Sequence, residues 1–254
     1  MKKMTQQQMD KQNKTRHAVV EQISLWMLLA VAWIYPTWAG QSVTGKIVID
    51  GVIYGESNTQ VIKGSGVMGQ EKRQVDEFHS VIIEGGVDVH YQRSQKVQVE
   101  VTGDQNLLPI IKTQTRAGIL TISSTGSYQP QLPLAVEISG PHLKAITMDG
   151  AGDIVLKNVD ENDLKVELNG SSHVLANGKV DRLSVSLNGS GDVDAKNLIS
   201  GQADMSIAGS GEIDITAKQA LSVTITGSGD VNYYGHPEQN EKQILGSGEV
   251  QSGD

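Results

Sequence analysis

Apolar and polar residues alternate along the second half of the chain in a unit that recurs about every nineteen residues. Each unit contains a glycine-rich motif, and apolar side chains fall six, four and two positions before its first glycine, as in Leu183, Val185 and Leu187. A shorter alternation follows the motif. Period-two alternation is typical of a strand with one buried face, so each unit predicts a strand, a glycine corner, a strand and a polar corner. The first glycines of the motifs are Gly150, Gly170, Gly189, Gly209, Gly227 and Gly246.

Two all-β folds can use such a unit. In a parallel β-helix each unit is one rung, and equivalent residues of successive rungs stack at about 4.8 Å. In an antiparallel sandwich each glycine corner is instead a hairpin. The repeated identity of equivalent positions favours stacking, because glycine is then needed wherever one corner lies closely over the next. The sequence therefore predicts an all-β parallel β-helix (solenoid) with rungs of about nineteen residues, and the sandwich is the alternative.

The same pattern extends upstream, but less cleanly. Apolar alternation precedes Gly85, Gly103 and Gly140, which extends the series toward the N-terminus. However, Gly140 and Gly150 are only 10 residues apart, about half a unit. A bend or an inserted strand near Pro141 is the expected cause of this phase slip.

The N-terminal segment has the pattern of an export signal. Residues 1–22 carry five basic and two acidic residues, and a 12-residue apolar run, broken only by a serine, extends from Ile23 to Ile34. Small residues precede a cleavage site after Ala39, so we predict a signal peptide over residues 1–39. The alternative is a membrane anchor, which is consistent with three flanking tryptophans because tryptophan is common at membrane interfaces. A membrane span needs about 20 apolar residues, and Pro36 stands where this span would have to continue, which argues against the anchor.

Several short motifs together resemble the head GIN domain, a family of unknown function described as a putative autotransporter adhesin head. They are Lys63–Gly66, Glu71–Arg73, Phe78–Ile83, Gly85–Val89, the Gln105–Leu108 turn and Gly118–Ile122, together with the later Gly-Ser-Gly-Asp corners. The resemblance covers about residues 63–235. It implies an exported bacterial protein with a right-handed β-helix-like fold and an adhesin-like role.

This resemblance and the repeat together predict three segments. Residues 1–39 are the signal peptide or anchor, residues 40–74 form an N-terminal β cap or lead-in, and residues 75–254 form the GIN-type β-helix domain. Because a solenoid has open ends, we expect polar residues to cover both of them.

Composition removes several classes of function. The chain has no cysteine, so a disulfide framework, a thiolate metal site and a lipoprotein anchor are all excluded. Its formal charge is −8, and residues 40–254, with 16 basic and 27 acidic residues, carry −11. A nucleic-acid partner is not expected, because phosphate binding needs a basic face.

Acidic residues recur directly after the glycine corners and would stack in one column of the solenoid. Oxygen ligands so arranged could hold calcium, although the pattern is not the nonapeptide calcium repeat. The alternative is structural, since an aspartate in a turn accepts hydrogen bonds from nearby backbone amides, and we favour it. The candidate residues are Asp153, Asp192, Glu212, Asp230 and Glu249, with His173 in the remaining position of the column.

No catalytic constellation is visible in the sequence. There is no nucleophile elbow and no phosphate-binding loop, and no two histidines have the spacing of a helical metal site. We predict no cofactor. The aromatic pair Tyr233 and Tyr234 is a weak candidate for ligand contact. More simply, one ring packs inward and the other covers an edge.

These observations favour an exported, non-catalytic binding module of the envelope or cell surface. It would present a polar β-helix face to a glycan or to an envelope or matrix protein, either in the periplasm or at the outer membrane and cell surface. It would contact the membrane only through an uncleaved leader, and the sequence does not define an oligomeric state. The alternatives are a carbohydrate-active enzyme on the same scaffold, and a structural or signalling protein of the periplasm.

Overall fold

The computed structural model describes residues 47–49, 52–54 and 61–253. In the first part, strands β1 (Ile47–Ile49) and β2 (Val52–Tyr54) pair in antiparallel fashion. The predicted signal segment, residues 1–39, lies outside the described residues. None of the described residues belongs to a helix that is long and apolar enough to cross a membrane.

Residues 61–253 are almost entirely β-structure, apart from a 3₁₀ turn at Leu108–Ile110. Their strands are β3 (Ile62–Lys63), β4 (Met68–Arg73), β5 (Ser80–Gly85), β6 (Asp88–Arg93), β7 (Gln98–Asp104), β8 (Ile111–Arg116), β9 (Ile119–Ser124), β10 (Tyr128–Gln129), β11 (Ala135–Gly140), β12 (Ala145–Gly150), β13 (Asp153–Gly170), β14 (His173–Gly189), β15 (Asp192–Gly209), β16 (Glu212–Gly227), β17 (Asp230–Tyr234), β18 (Gln239–Gly246) and β19 (Val250–Ser252).

The long strands β13 to β16 each form most of one turn of a coil. Each pairs in parallel with the next over nearly its whole length. The strand segments that end at the corner glycines make one sheet, the pre-glycine sheet, and those that begin just after the corners make a second, the post-glycine sheet. A short third side joins the two. The architecture is a β-solenoid of about five turns, which confirms the predicted parallel fold and excludes the sandwich.

The corner glycines form one column along the solenoid. Their φ angles lie between +119° and +150°. A Cβ at Gly189 would also lie on the carbonyl oxygen of Gly170 in the turn below. Glycine is therefore required both by the backbone conformation and by the close approach of successive turns. In register, the column is Gly85, Gly150, Gly170, Gly189, Gly209, Gly227 and Gly246.

The interior is filled by columns of aliphatic side chains from the positions that the alternation predicts. In β13 to β16 the residues six, four and two positions before the column glycines are all buried, with none more than 3% exposed. Burial of one such side chain stabilises the fold by about 1.5–3 kcal/mol. The members of these columns are Leu164, Val166, Leu168, Leu183, Val185, Leu187, Ala203, Met205, Ile207, Leu221, Val223 and Ile225.

The phase slip near Gly140 has a topological cause. Gly140 ends β11 and pairs with Arg93 in the post-glycine sheet, whereas Gly150 ends β12 and pairs with Gly85 in the pre-glycine sheet. The two glycines therefore belong to different columns. Between β6 and β12 the chain leaves the coil, adds β7 and β11 to one sheet and β8 and β9 to the other, and then returns. Gly103 lies within this excursion, in β7, which pairs antiparallel with β11.

Polar residues occupy core-facing positions in the outermost strands. In β4, Glu71 and Arg73 lie opposite the buried Val101 and Val99 of β7, and the Arg73 Nη1 atom is 2.8 Å from the Glu71 Oε1 atom. The guanidinium also donates to the carbonyl oxygen of Leu108 over 2.6 Å. Charged side chains that point inward at an edge oppose further strand addition.

The last described turn also has polar side chains at core-facing positions, at the opposite end of the solenoid. Asn240 and Lys242 of β18 continue the columns of the buried Leu221 and Val223. The Lys242 ammonium lies 4.7 Å from the centre of the Tyr233 ring. Its Nζ atom also donates to a backbone carbonyl of β19 over 3.3 Å. At the last described turn, polar side chains therefore cover the end of the aliphatic core.

A buried carboxylate ties three segments together beside β7. Asp104 is fully buried and accepts hydrogen bonds from the backbone N–H groups of Gly66, Gln131 and Leu132, over 2.6, 2.9 and 3.0 Å. The neighbouring Asn106 accepts from the Ser65 N–H and donates to the Lys63 carbonyl, both over 2.8 Å. These contacts give a structural role to motifs that resemble the head GIN domain.

The Asp104 contacts predict an acid-sensitive stability. Burial alone would raise the pKa of this carboxyl, but the N–H groups of Leu132, Gly66 and Gln131 hold the pKa below its ordinary value of 3.8. The stabilisation is therefore present above the unfolded-state pKa and is lost as pH falls through the lower folded-state pKa. We expect Asp104→Asn to lower the melting temperature at neutral pH and to reduce its dependence on pH in the acid range. A wild-type acid profile in the variant would contradict this role.

Candidate binding surface

The acidic residues predicted to stack do form one column, on the outer face of the post-glycine sheet. Register pairs Asp153 with His173, His173 with Asp192, Asp192 with Glu212, and Glu212 with Asp230. Glu249 follows one turn later, its backbone carbonyl accepting a hydrogen bond from Val231 over 2.9 Å.

Three aspartates near or within this column accept backbone hydrogen bonds from the turn above. The carboxylate of Asp192 accepts the N–H of Glu212 over 3.1 Å, and that of Asp230 accepts the N–H of Glu249 over 2.8 Å. Asp88 receives the N–H of Asp153 in the same way, over 2.9 Å. No cluster of three or more metal-ligating side chains is found among the described residues. The carboxylates of Asp192, Asp230 and Asp88 each accept a hydrogen bond that links one turn to the next.

This arrangement leads to a prediction about cation removal. We expect the melting temperature to stay the same when EDTA is added to the purified protein, because backbone N–H groups already occupy the Asp192 and Asp230 carboxylates. A ligand that binds only the folded state would raise the melting temperature with its concentration. A rise with calcium chloride, reversed by EDTA and absent with magnesium chloride, would instead establish the calcium column.

The two adjacent tyrosines point to different environments. Tyr233 continues the column of the buried Ile215 and is partly buried beside Lys242. Tyr234 lies on the other side of the strand, where the Lys196 ammonium is 5.3 Å from its ring centre. That ammonium is also 2.9 Å from the Asp214 carboxylate. Its hydrogen bond to Asp214, and to a lesser extent its hydrogen bond to Tyr234, raises the pKa of Lys196. Both candidate contact rings thus have partners within the chain.

The structure brings together a concave surface that the sequence did not single out. It lies where the third side of the coil meets the pre-glycine sheet. One part is a depression of about 480 Å³, and a second depression adjoins it through the shared Gln202. We call the two together the corner groove. Its polar side chains are those of Asn162, Asp163, Asp181, Arg182, Gln202 and Gln219 in the first part, and of Asp204, Ser222, Gln239, Asn240 and Glu241 in the second. Gly201 completes the lining of the first part, and Ala203, Ala220 and Leu221 complete that of the second.

The regular register of the solenoid builds this groove. Asp163, Arg182, Gln202, Ala220 and Gln239 occupy one column, at the step where each turn enters the pre-glycine sheet. All but Ala220 are exposed. The residues one position further along, which are aliphatic except for Asn240, lie on the core-facing side of the strands, so the column itself must point to solvent.

A missing side chain deepens the first depression. Gly201 lies between Asp181 in the turn below and Gln219 in the turn above, and a Cβ there would be 2.8 Å from the Asp181 carbonyl oxygen. Beside it, the Arg182 Nη1 atom is 3.7 Å from the Asp163 Oδ1 atom, and the Arg182 Nε atom donates weakly to Gln202 over 3.4 Å. Arg182 thus has one polar partner in the turn below it and one in the turn above it.

The groove is acidic and rich in amides. Its lining contains four carboxylates, those of Asp163, Asp181, Asp204 and Glu241, and one guanidinium, that of Arg182. Carboxamides both donate and accept hydrogen bonds, and carboxylates accept them. The surface can therefore bind hydroxyl and amide groups, and it repels anions. The sequence signal for it was the run of Asn, Asp and Gln at the polar corner before each aliphatic triplet.

The fold and this surface define a class of protein, a β-solenoid with an aliphatic interior and polar outer faces. Residues 77–237 match the family model described as "putative auto-transporter adhesin, head GIN domain". The chain belongs to this family, which confirms the resemblance predicted from the motifs. Among curated proteins, none matches the sequence.

Three solved structures share the fold. A putative adhesin from Bacteroides fragilis NCTC 9343 has a TM-score of 0.65 at 19% identity, covering 75% of this chain and 99% of its own. A putative lipid binding protein from Parabacteroides distasonis ATCC 8503 has a TM-score of 0.51 at 23% identity, covering 77% and 100%. A putative adhesin from Parabacteroides merdae ATCC 43184 has a TM-score of 0.50 at 20% identity, covering 76% and 99%.

Proposed function

We propose that this protein is an exported, non-catalytic binding module of the cell envelope or surface, which engages a glycan or a protein through its lateral surface. The corner groove carries the proposal, because it gathers exposed amide, carboxylate and guanidinium groups from successive turns into one concave surface. Membership of an adhesin-like family and the signal-like N-terminal segment support export and binding.

The rigidity of the scaffold supports the same function. Each turn is hydrogen-bonded to the turns on either side of it, and the aliphatic columns beneath the surface are buried. The polar side chains therefore project from a fixed backbone, and binding need not order a loop. Preorganisation of this kind lowers the entropic cost of association.

Binding arrays test the proposed function directly. The purified protein is applied to glycan and matrix-protein arrays, and saturable binding to a defined class of molecule is the expected result. The carbohydrate-active alternative is followed in parallel by measuring new reducing ends in the same polysaccharides. Release of reducing ends would contradict the non-catalytic assignment, and an absence of specific binding on both arrays would favour a structural role.

A further inference from the structure

We propose that the corner groove is a glycan-binding site for a linear chain without negative charge, which lies parallel to the solenoid axis. This inference rests on the proposed function and deepens it, because it names the surface, the ligand class and the direction of binding.

The direction follows from how the groove is built. Its lining comes from five successive turns, from Asp163 in β13 to Gln239 in β18. Turns are spaced at about 4.8 Å, so the groove extends for roughly 19 Å along the axis. A ligand that uses the whole surface must be an extended polymer of several units, with hydrogen-bonding groups that recur along its length.

The charge of the groove selects the ligand class. The carboxylates of Asp181, Asp204 and Glu241 have no hydrogen-bonded cation within the groove, since Arg182 lies beside Asp163 and Gln202. Like charges facing one another across a contact oppose association. A sulfated or uronic-acid chain is therefore disfavoured, whereas hydroxyl groups of a neutral sugar can donate to these carboxylates.

The lining favours a glycan over a peptide. A peptide that binds as an added strand needs a free backbone edge, and the backbone of the central turns is already paired to the turns on both sides. Protein hot spots use buried aromatic anchors, and no aromatic residue lines the groove. Amide, carboxylate and hydroxyl side chains instead match the hydroxyl groups of a sugar chain.

The same lining predicts how affinity depends on ligand length. Without an aromatic ring to stack on a sugar, each unit is held by hydrogen bonds alone, which are individually weak in water. Contacts to several turns must therefore act together. We expect affinity for neutral oligosaccharides to rise steadily with chain length and then to level off once the groove is filled.

The test compares a groove variant with a matched control. Gln202→Ala combined with Gln219→Ala removes two amides from the groove. Gln114→Ala removes an exposed amide from β8, at the far end of the pre-glycine sheet. Binding to the neutral and the anionic members of a glycan array is measured, with melting temperatures to show that all variants fold. We expect about ten-fold weaker binding of the longest neutral oligosaccharide by the groove variant and wild-type binding by the control.

Each other outcome is decisive. Neutral glycans that bind equally to the groove variant and the control would overturn this site but leave the proposed function intact. Binding to anionic glycans alone would overturn the ligand class. Binding to proteins and to no glycan would overturn the glycan site but leave the proposed function as a binding module intact. Binding to neither class of molecule would overturn both the glycan site and the proposed function.

A second pair of substitutions tests the charge argument. Asp181→Lys with Asp204→Lys replaces two carboxylates of the groove by ammonium groups on exposed positions. We expect this variant to gain binding to a polyuronate that the wild-type protein does not bind. If the wild type and the variant bind the polyuronate equally, the groove does not select by charge.

Discussion

Replacing Gly189 by alanine should destabilise the solenoid by about 4 kcal/mol or more. A Cβ at this position would lie on the carbonyl oxygen of Gly170, and the residue has a φ of +139°. Neither problem can be relieved locally, because Gly189 is paired in register with a glycine above and a glycine below. In a solenoid, stability depends on the interface between neighbouring turns, so damage at a central turn separates the two halves. Equilibrium unfolding in urea measures the loss.

Gly126 provides the matched control. It also has a left-handed φ, of +84°, but a Cβ there would meet nothing within 4 Å. Gly126→Ala should therefore show only the backbone strain, about 1–2 kcal/mol. The difference between the two variants reports the close approach to Gly170 together with the larger positive φ of Gly189. Equal losses of unfolding free energy would mean that the column needs glycine only for its backbone angle.

Making the last turn apolar should cause the protein to self-associate. Asn240→Leu with Lys242→Val would extend two aliphatic columns to the exposed edge of β18, and would remove the ammonium beside Tyr233. An unpaired strand edge without an inward charge is a template for pairing with another chain. We expect concentration-dependent association of this variant in sedimentation velocity, well beyond that of the wild-type protein.

The control for this variant uses the same strand. Gln239→Leu with Gln243→Val adds the same apolar side chains to the outer face of β18, without changing its core-facing positions. If general hydrophobicity caused association, both variants would associate equally. We expect the outward variant to remain at the wild-type oligomeric state, because its strand edge still carries Lys242.

Several features of the fold were readable from the chain because they are periodic and local. The alternation before Gly189 fixed which side chains point inward, and the recurrence of the corner fixed the stacking of turns. The acid column followed from the same register, since residues at equivalent steps of a regular coil must lie above one another. The resemblance to the head GIN domain rested on motifs such as Gly85–Val89 and was confirmed.

Other features depended on contacts between distant parts of the chain. Gly85 and Gly150 are neighbours in the glycine column, although 65 positions separate them. No local pattern shows that the intervening strands leave the coil and return, so the alternation predicts Gly140 in the same series as Gly150, which is wrong. The core-facing roles of Glu71 and Arg73 are invisible in the sequence for the same reason, since their partners in β7 lie across an antiparallel pairing.

The sequence by itself determined the coil, its aliphatic interior and its glycine corners, because each depends on a repeated unit and on backbone stereochemistry. Only the tertiary structure decided where the coil ends and where its surface becomes concave. The corner groove exists because residues of five turns stand in one column, four of them polar, and because Gly201 leaves a gap between its neighbours. Such a surface is a property of turns in contact, and no single turn contains it.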